Sequence, residues 1–155
     1  MAIHIHTASQ FLPISIDEAW DFMSSPRNLA KITPESMDFV IKEPNLTEKV
    51  YAGLIINYTV KPLWGIPVPW TTEITHLEEH RYFVDEQRFG PYSFWHHKHF
   101  LKPVEGGVQM DDIIHYKVPG GIFGDILNKL MIEKKVKEIF DYRFKKLEQL
   151  FPAKR

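Results

Sequence analysis

The chain contains no cysteine. Disulfide bridges and thiolate metal ligands are therefore excluded, and a reducing compartment is permitted. Charge of one sign is also lacking, since 19 basic and 20 acidic side chains leave a formal net charge of −1. Attraction of nucleic acid by bulk charge depends on neutralising many phosphates, and nothing here supplies it. No stretch approaches the ~20 consecutive apolar residues of a membrane-spanning helix. The N-terminus, MAIHIHTASQ, has neither the basic start nor the apolar centre of a signal peptide. These absences lead to the expectation of a cytoplasmic protein without membrane insertion. Repeats, low-complexity tracts and linkers are missing as well. So are a GxxxxGK phosphate loop and a GxSxG nucleophile turn.

What is present is aromatic: 11 Phe, 6 Tyr and 4 Trp in 155 residues, with 44 % of the chain hydrophobic. That length fits one domain spanning 1–155. Aromatic side chains fill cores and also line apolar cavities, and composition does not separate the two uses. Residues 2–8 alternate as a strand, with Ile3 and Ile5 on one face and His4 and His6 on the other. The histidines are expected on the exposed or edge face. Ser15 and Glu18 have capping-box spacing ahead of Ala19, Trp20, Phe22 and Met23, so a helix should run to about Ser24. A second short helix begins at Ser25-Pro26 and ends by Thr33-Pro34. Turn signals then divide the chain into strands at 36–43, 52–62, 69–78, 81–89, 93–102 and 108–118. Short turns between neighbours imply an antiparallel meander of seven strands in all.

From about Gly121 to Phe151 the period becomes helical. Phe123, Leu127, Leu130, Met131, Val136, Ile139, Phe140, Phe144, Leu147, Leu150 and Phe151 form the expected apolar stripe. The basic and acidic residues of this helix read as a solvated face. About thirty residues give a rod roughly 45 Å long, which needs a curved sheet to bury its stripe. The fold class predicted is α+β: a seven-stranded curved antiparallel sheet, two short helices after strand 1, and a long C-terminal helix over the sheet. A gap between sheet and helix is the candidate cavity.

This order of elements resembles the START-like, or SRPBCC, superfamily with its helix-grip, Bet v 1-like fold. The resemblance covers essentially the whole chain. It is carried by SPRNLAKITPESMDF at 25–39, AGLIINYTV at 52–60, FVDEQRFGPYSFWHHKH at 83–99, MDDIIHYKVPGG at 110–121 and IFDYRFKKL at 139–147. More narrowly it is similar to the bacterial ligand-binding SRPBCC domain group, which implies an apolar cavity with an unassigned ligand. The superfamily also holds lipid carriers, plant hormone binders and polyketide cyclases, so fold alone does not transfer function. Plant allergen members carry a Gly-rich loop between the second and third strands. Here EPNLTEKVYAG has a single Gly, and nothing of that loop carries over.

The polar residues of 83–99 are the most specific feature. Strand parity groups Asp85 with Gln87, and Trp95 with His97 and His99. On the next strand it groups Met110, Asp112, Ile114 and Tyr116. Each group is expected to face inward. Four readings compete for them: a structural hydrogen-bond network, recognition of a ligand's polar end, general acid–base chemistry, and a metal held by His97, His99 and Asp85. Two-residue His spacing is common by chance, and neither a metal nor another cofactor is assigned. His115 reads as a surface or sheet-packing residue. Trp64, in KPLWGIPVPW, could touch a ligand at the cavity mouth. The glycines of PGGIFG serve a tight strand-to-helix turn.

The expected function is binding of an apolar or amphipathic small molecule between sheet and helix. Phe22, Ile55, Tyr58, Trp70, Ile74, Trp95, Ile114, Leu127 and Met131 are the expected wall, and Asp85, Gln87, His97, His99, Asp112 and Tyr116 the polar contacts. One alternative is a polyketide cyclase- or dehydratase-like enzyme using His97 or His99 as base, held by Asp85. Another is a protein-interaction module without a ligand. A homodimer stays open as an assembly.

Overall fold

A computed structural model describes residues 2–153. Seven strands form one antiparallel sheet: β1 (His4–Leu12), β2 (Val40–Ile41), β3 (Ile55–Val60), β4 (Val68–Glu78), β5 (Tyr82–Phe89), β6 (Phe94–Val104) and β7 (Gly107–Lys117). Their order across the sheet is β1-β7-β6-β5-β4-β3-β2. The meander β2–β7 is thus closed at its far side by the N-terminal strand, with His4 opposite Tyr116 and Leu12 opposite Val108. Between β1 and β2 lie α1 (Ile16–Met23) and α2 (Pro26–Leu29). The capping box forms as the sequence predicts: the Ser15 hydroxyl accepts from the Glu18 N–H, and the Glu18 carboxylate accepts from the Ser15 N–H.

The first two strands depart from their expected bounds. The strand expected at 36–43 shrinks to Val40–Ile41, because Glu35–Met37 wind into a 3-10 turn that ends with Asp38 in the left-handed region, φ 43°. Strand β1 instead runs on to Leu12, because the alternation continues through buried Gln10 and Leu12. The Gln10 side-chain Nε2 donates to the Phe144 carbonyl, 2.9 Å away.

The C-terminal rod is not uniform. It comprises α3 (Ile122–Leu127), a π-helical stretch Asn128–Ile132, and α4 (Glu133–Leu150). The wide turn shifts the buried face, so the single stripe read from sequence is wrong at several positions. Phe123 and Leu130 are exposed, as are Phe144 and Leu150. The buried line is Asn128, Ile132, Val136, Phe140, Arg143 and Leu147. At Gly124 a Cβ would lie 2.3 Å from the Pro119 carbonyl oxygen, so glycine lets the start of the rod close against the end of the sheet.

The core divides in two. Leu12, Trp20, Ile74, Phe83, Leu101 and Leu147 pack on the α1 side, and Ile114, Tyr116, Val118, Ile132, Val136 and Phe140 under the middle of the rod. The expected hollow lies between sheet and rod.

Candidate functional site

Between the helices and the inner face of the sheet lies a cavity of about 330 Å³. Its apolar wall includes Phe22, Tyr58, Trp70, Ile74, Trp95 and Leu127, and its polar wall Asp85, His97, His99 and Arg143.

The polar wall follows from strand register. On β5 and β6 Asp85 pairs with His97, and on β6 and β7 His99 pairs with Asp112. All four side chains point to the helix side, so the two histidines and two aspartates occupy corners of a grid. His97 Nε2 lies 2.9 Å from Asp112 Oδ1 and its Nδ1 3.4 Å from Asp85 Oδ2. His99 Nε2 lies 2.6 Å from Asp85 Oδ2. The His99 Nδ1 is 3.1 Å from Asp112 Oδ1 but off the N–H direction, so this contact is charge attraction and not a hydrogen bond. Arg143 descends from α4 to place Nη2 3.2 Å from Asp112 Oδ1. The two imidazoles lie tilted against each other with centroids 3.6 Å apart, and Phe83 stacks on His99 at 4.1 Å.

Burial and charge then set each protonation state. Burial pushes His97 down, the neighbouring His99 adds to this, and the two carboxylates oppose it; the result is a pKa of about 4. For His99 burial also acts downward, but attraction to Asp112 together with the hydrogen bond and attraction to Asp85 outweigh it and raise the pKa. Burial pushes Asp112 up, yet the Arg143 charge and both imidazoles hold it well below the ordinary carboxylate value. Asp85 is likewise pushed up by burial and drawn down further by His97 and His99. Two carboxylates thus face Arg143 and an imidazole, His99, whose charged form they favour, while burial disfavours the charged form of His97.

The structure relocates several expected contacts. Ile55 is 43 % exposed and points away, while its neighbour Ile56 reaches the cavity. Gln87 clasps the Tyr92 backbone, donating to its carbonyl at 2.6 Å and accepting from its N–H at 3.1 Å. It therefore fixes the Gly-Pro-Tyr turn, and Tyr92 is the residue that reaches the cavity. Ile114 and Tyr116 face the helix side but are packed into the second core beside the cavity, and Asp112 stands behind the histidines. Met131 borders a separate groove by Trp64, which is 72 % exposed. His4 and His6 occupy the edge strand but not its open face: the His6 ring packs tilted against Phe140 at 5.0 Å, while Ile3 and Ile5 are exposed.

Arg143 was missed. Read with the charged face of the helix, it is only 5 % exposed. Its place at Val136 plus seven and Leu147 minus four puts a charge inside the apolar stripe, and that was the available signal.

No protein-family model and no curated protein matches the sequence. Solved structures do match. TTHA0849 from Thermus thermophilus is 15 % identical with a TM-score of 0.69, covering 94 % of this chain and 95 % of its own. CV1439 from Chromobacterium violaceum is 11 % identical with a TM-score of 0.73, covering 97 % and 98 %. Ara h 8.0201 is 12 % identical with a TM-score of 0.61, covering 96 % and 99 %. At such identities the likeness is one of fold. The chain has the helix-grip, Bet v 1-like α+β architecture, and the narrower SRPBCC group is not reached by these neighbours. No helix of the described residues is long and apolar enough to cross a membrane.

Proposed function

We propose that the protein binds an apolar or amphipathic small molecule in the cavity between the sheet and the C-terminal rod. The observation that carries this reading is the cavity itself: about 330 Å³, with aromatic and aliphatic walls and ionisable groups gathered on one side. Burial of the ligand's apolar surface contributes about 25 cal/mol per Å², and the polar side selects among ligands of similar shape. The interaction-module alternative calls for a filled interior, so the cavity weighs against it.

A cyclase- or dehydratase-like enzyme is the second reading, favoured by one observation. His97 lies on the cavity wall with a carboxylate on either side, which makes it the candidate for accepting and returning a proton. The test of the first reading is native mass spectrometry of protein purified from its own host, followed by thermal-shift assays on a panel of lipids and polycyclic aromatics. A co-purifying molecule that quenches Trp70 and Trp95 fluorescence on rebinding is expected. Absence of any bound molecule together with a flat panel would sink it. Turnover of a bound compound, abolished by His97→Gln with binding kept, would move the assignment to the enzyme.

A further inference from the structure

We propose that Asp85, His97 and His99 form a site for one divalent transition-metal ion, with Asp112 and Arg143 holding the two imidazoles from behind. The three donors come from adjacent strands, on the rigid centre of the sheet, and one ligand atom of each lies within 4.8 Å of the others. Tetrahedral coordination at ~2.1 Å separates neighbouring donors by about 3.4 Å. The distance from Asp85 Oδ2 to His97 Nδ1 is 3.4 Å. From Asp85 Oδ2 to His99 Nε2 it is 2.6 Å, the length of a hydrogen bond. Replacing the shared proton by an ion requires these two atoms to part by less than an ångström.

The hydrogen bond on the far side of the His97 ring supports the same conclusion, and charge attraction on the far side of His99 agrees with it. A metal-bound histidine commonly turns its other nitrogen to a carboxylate, which fixes tautomer and orientation. Here one oxygen, Asp112 Oδ1, lies 2.9 Å from His97 Nε2 and 3.1 Å from His99 Nδ1. Arg143 anchors that oxygen at 3.2 Å. His97 Nδ1 and His99 Nε2 are thereby the nitrogens left for Asp85 and for an ion beside it.

Donor type narrows the ion. Two imidazoles and one carboxylate suit zinc, iron(II) or cobalt(II), and do not suit calcium or magnesium, which take oxygen ligands. Three protein donors leave a coordination position open, and all three residues belong to the cavity wall, so water or a donor atom of a cavity ligand completes the shell. The proposal stands apart from the ligand reading, because an ion would bind whether or not an organic molecule follows.

The test uses the full chain, stripped with chelator and dialysed, and titrated with Zn²⁺ or Co²⁺. We expect one ion per chain, a visible Co²⁺ d–d band, and large ¹⁵N shifts at His97 Nδ1 and His99 Nε2 with none at His76 or His80. Asp85→Asn, which keeps the side-chain shape, should lower affinity at least tenfold. Asp112→Asn should lower it by about 10- to 100-fold. No Zn²⁺ uptake above the buffer blank, wild-type affinity in a folded Asp85→Asn, or ¹⁵N shifts confined to other histidines would each overturn the site. If a variant does not fold, the wild-type ¹⁵N shifts decide by themselves.

Discussion

His97 and His99 lie between the same two aspartates, yet their pKa values move in opposite directions. In metal-free protein, ¹⁵N spectra at pH 6 should therefore show His97 neutral and His99 protonated on both nitrogens; equal titration of the two rings near pH 6.5 would refute this. The stability consequence has a definite sign. His97 is lowered from 6.5 to about 4, so between these values the unfolded chain binds a proton that the folded chain refuses. Stability falls as pH drops through that window, by about 3 kcal/mol. His99 is raised, so its contribution is full below pH 6.5 and is lost as pH climbs through the raised value. Asp112 is depressed; its contribution is present above about pH 4 and disappears as acid reaches its folded value. Urea midpoints should therefore peak near neutrality, and His97→Gln should flatten the slope between pH 6.5 and 4. Arg143→Met leaves Asp112 buried without its strongest partner. It should cost about 3–5 kcal/mol, measured by the same urea melts. Asp85, His97 and His99 were legible from parity because polar residues recur every second position in two adjacent strands. Arg143 was hidden because a charge on a helix is ordinarily solvated. Ile55 was misplaced because Ile55 and Ile56 are equally apolar and their hydropathy does not say which of them faces inward.

The elements carry their own constraint at the junction of sheet and rod. Gly124 touches backbone, with positions for an added Cβ 2.3 Å from the Pro119 oxygen and 2.9 Å from the Val118 oxygen. Alanine normally favours a helix over glycine by up to ~1 kcal/mol. Here the backbone must move, and Gly124→Ala should instead destabilise by about 1–3 kcal/mol, with a lowered urea midpoint as the readout; an increase would show that the close approach is dispensable. Strands β3–β7 and the capped α1 could be read from sequence because alternation, turn residues and the Ser15–Glu18 pair all agree locally. The second strand and the π-helical stretch could not. Asp38 takes a left-handed conformation that no local pattern requires of it. The wide turn at Asn128–Ile132 is set by what the rod packs against, with Asn128 and Ile132 both drawn inward. A steady 3.6-residue count therefore loses its phase there and assigns Phe123 and Leu130 to the wrong face.

At the scale of the whole molecule, sheet and rod enclose a space they do not fill. A void lined by side chains forgoes dispersion contacts on its open side, so the cavity makes the fold less stable than a filled version would be. Such a trade of stability for a site is common. Ile139 projects from α4 into the cavity wall and is only half-buried, which gives a larger side chain room to turn inward. Ile139→Trp is thus expected to raise the melting temperature of the unliganded protein by a few degrees while removing ligand binding. For the unmodified chain, a ligand at one hundred times its Kd adds about 2.7 kcal/mol. In a domain of this size that raises Tm by about 5–11 °C. The variant should start higher and show almost no further rise. Equal ligand-induced shifts in both proteins would mean that the molecule binds elsewhere, and a lower starting Tm in the variant would mean that the space between sheet and rod is already filled by side-chain motion.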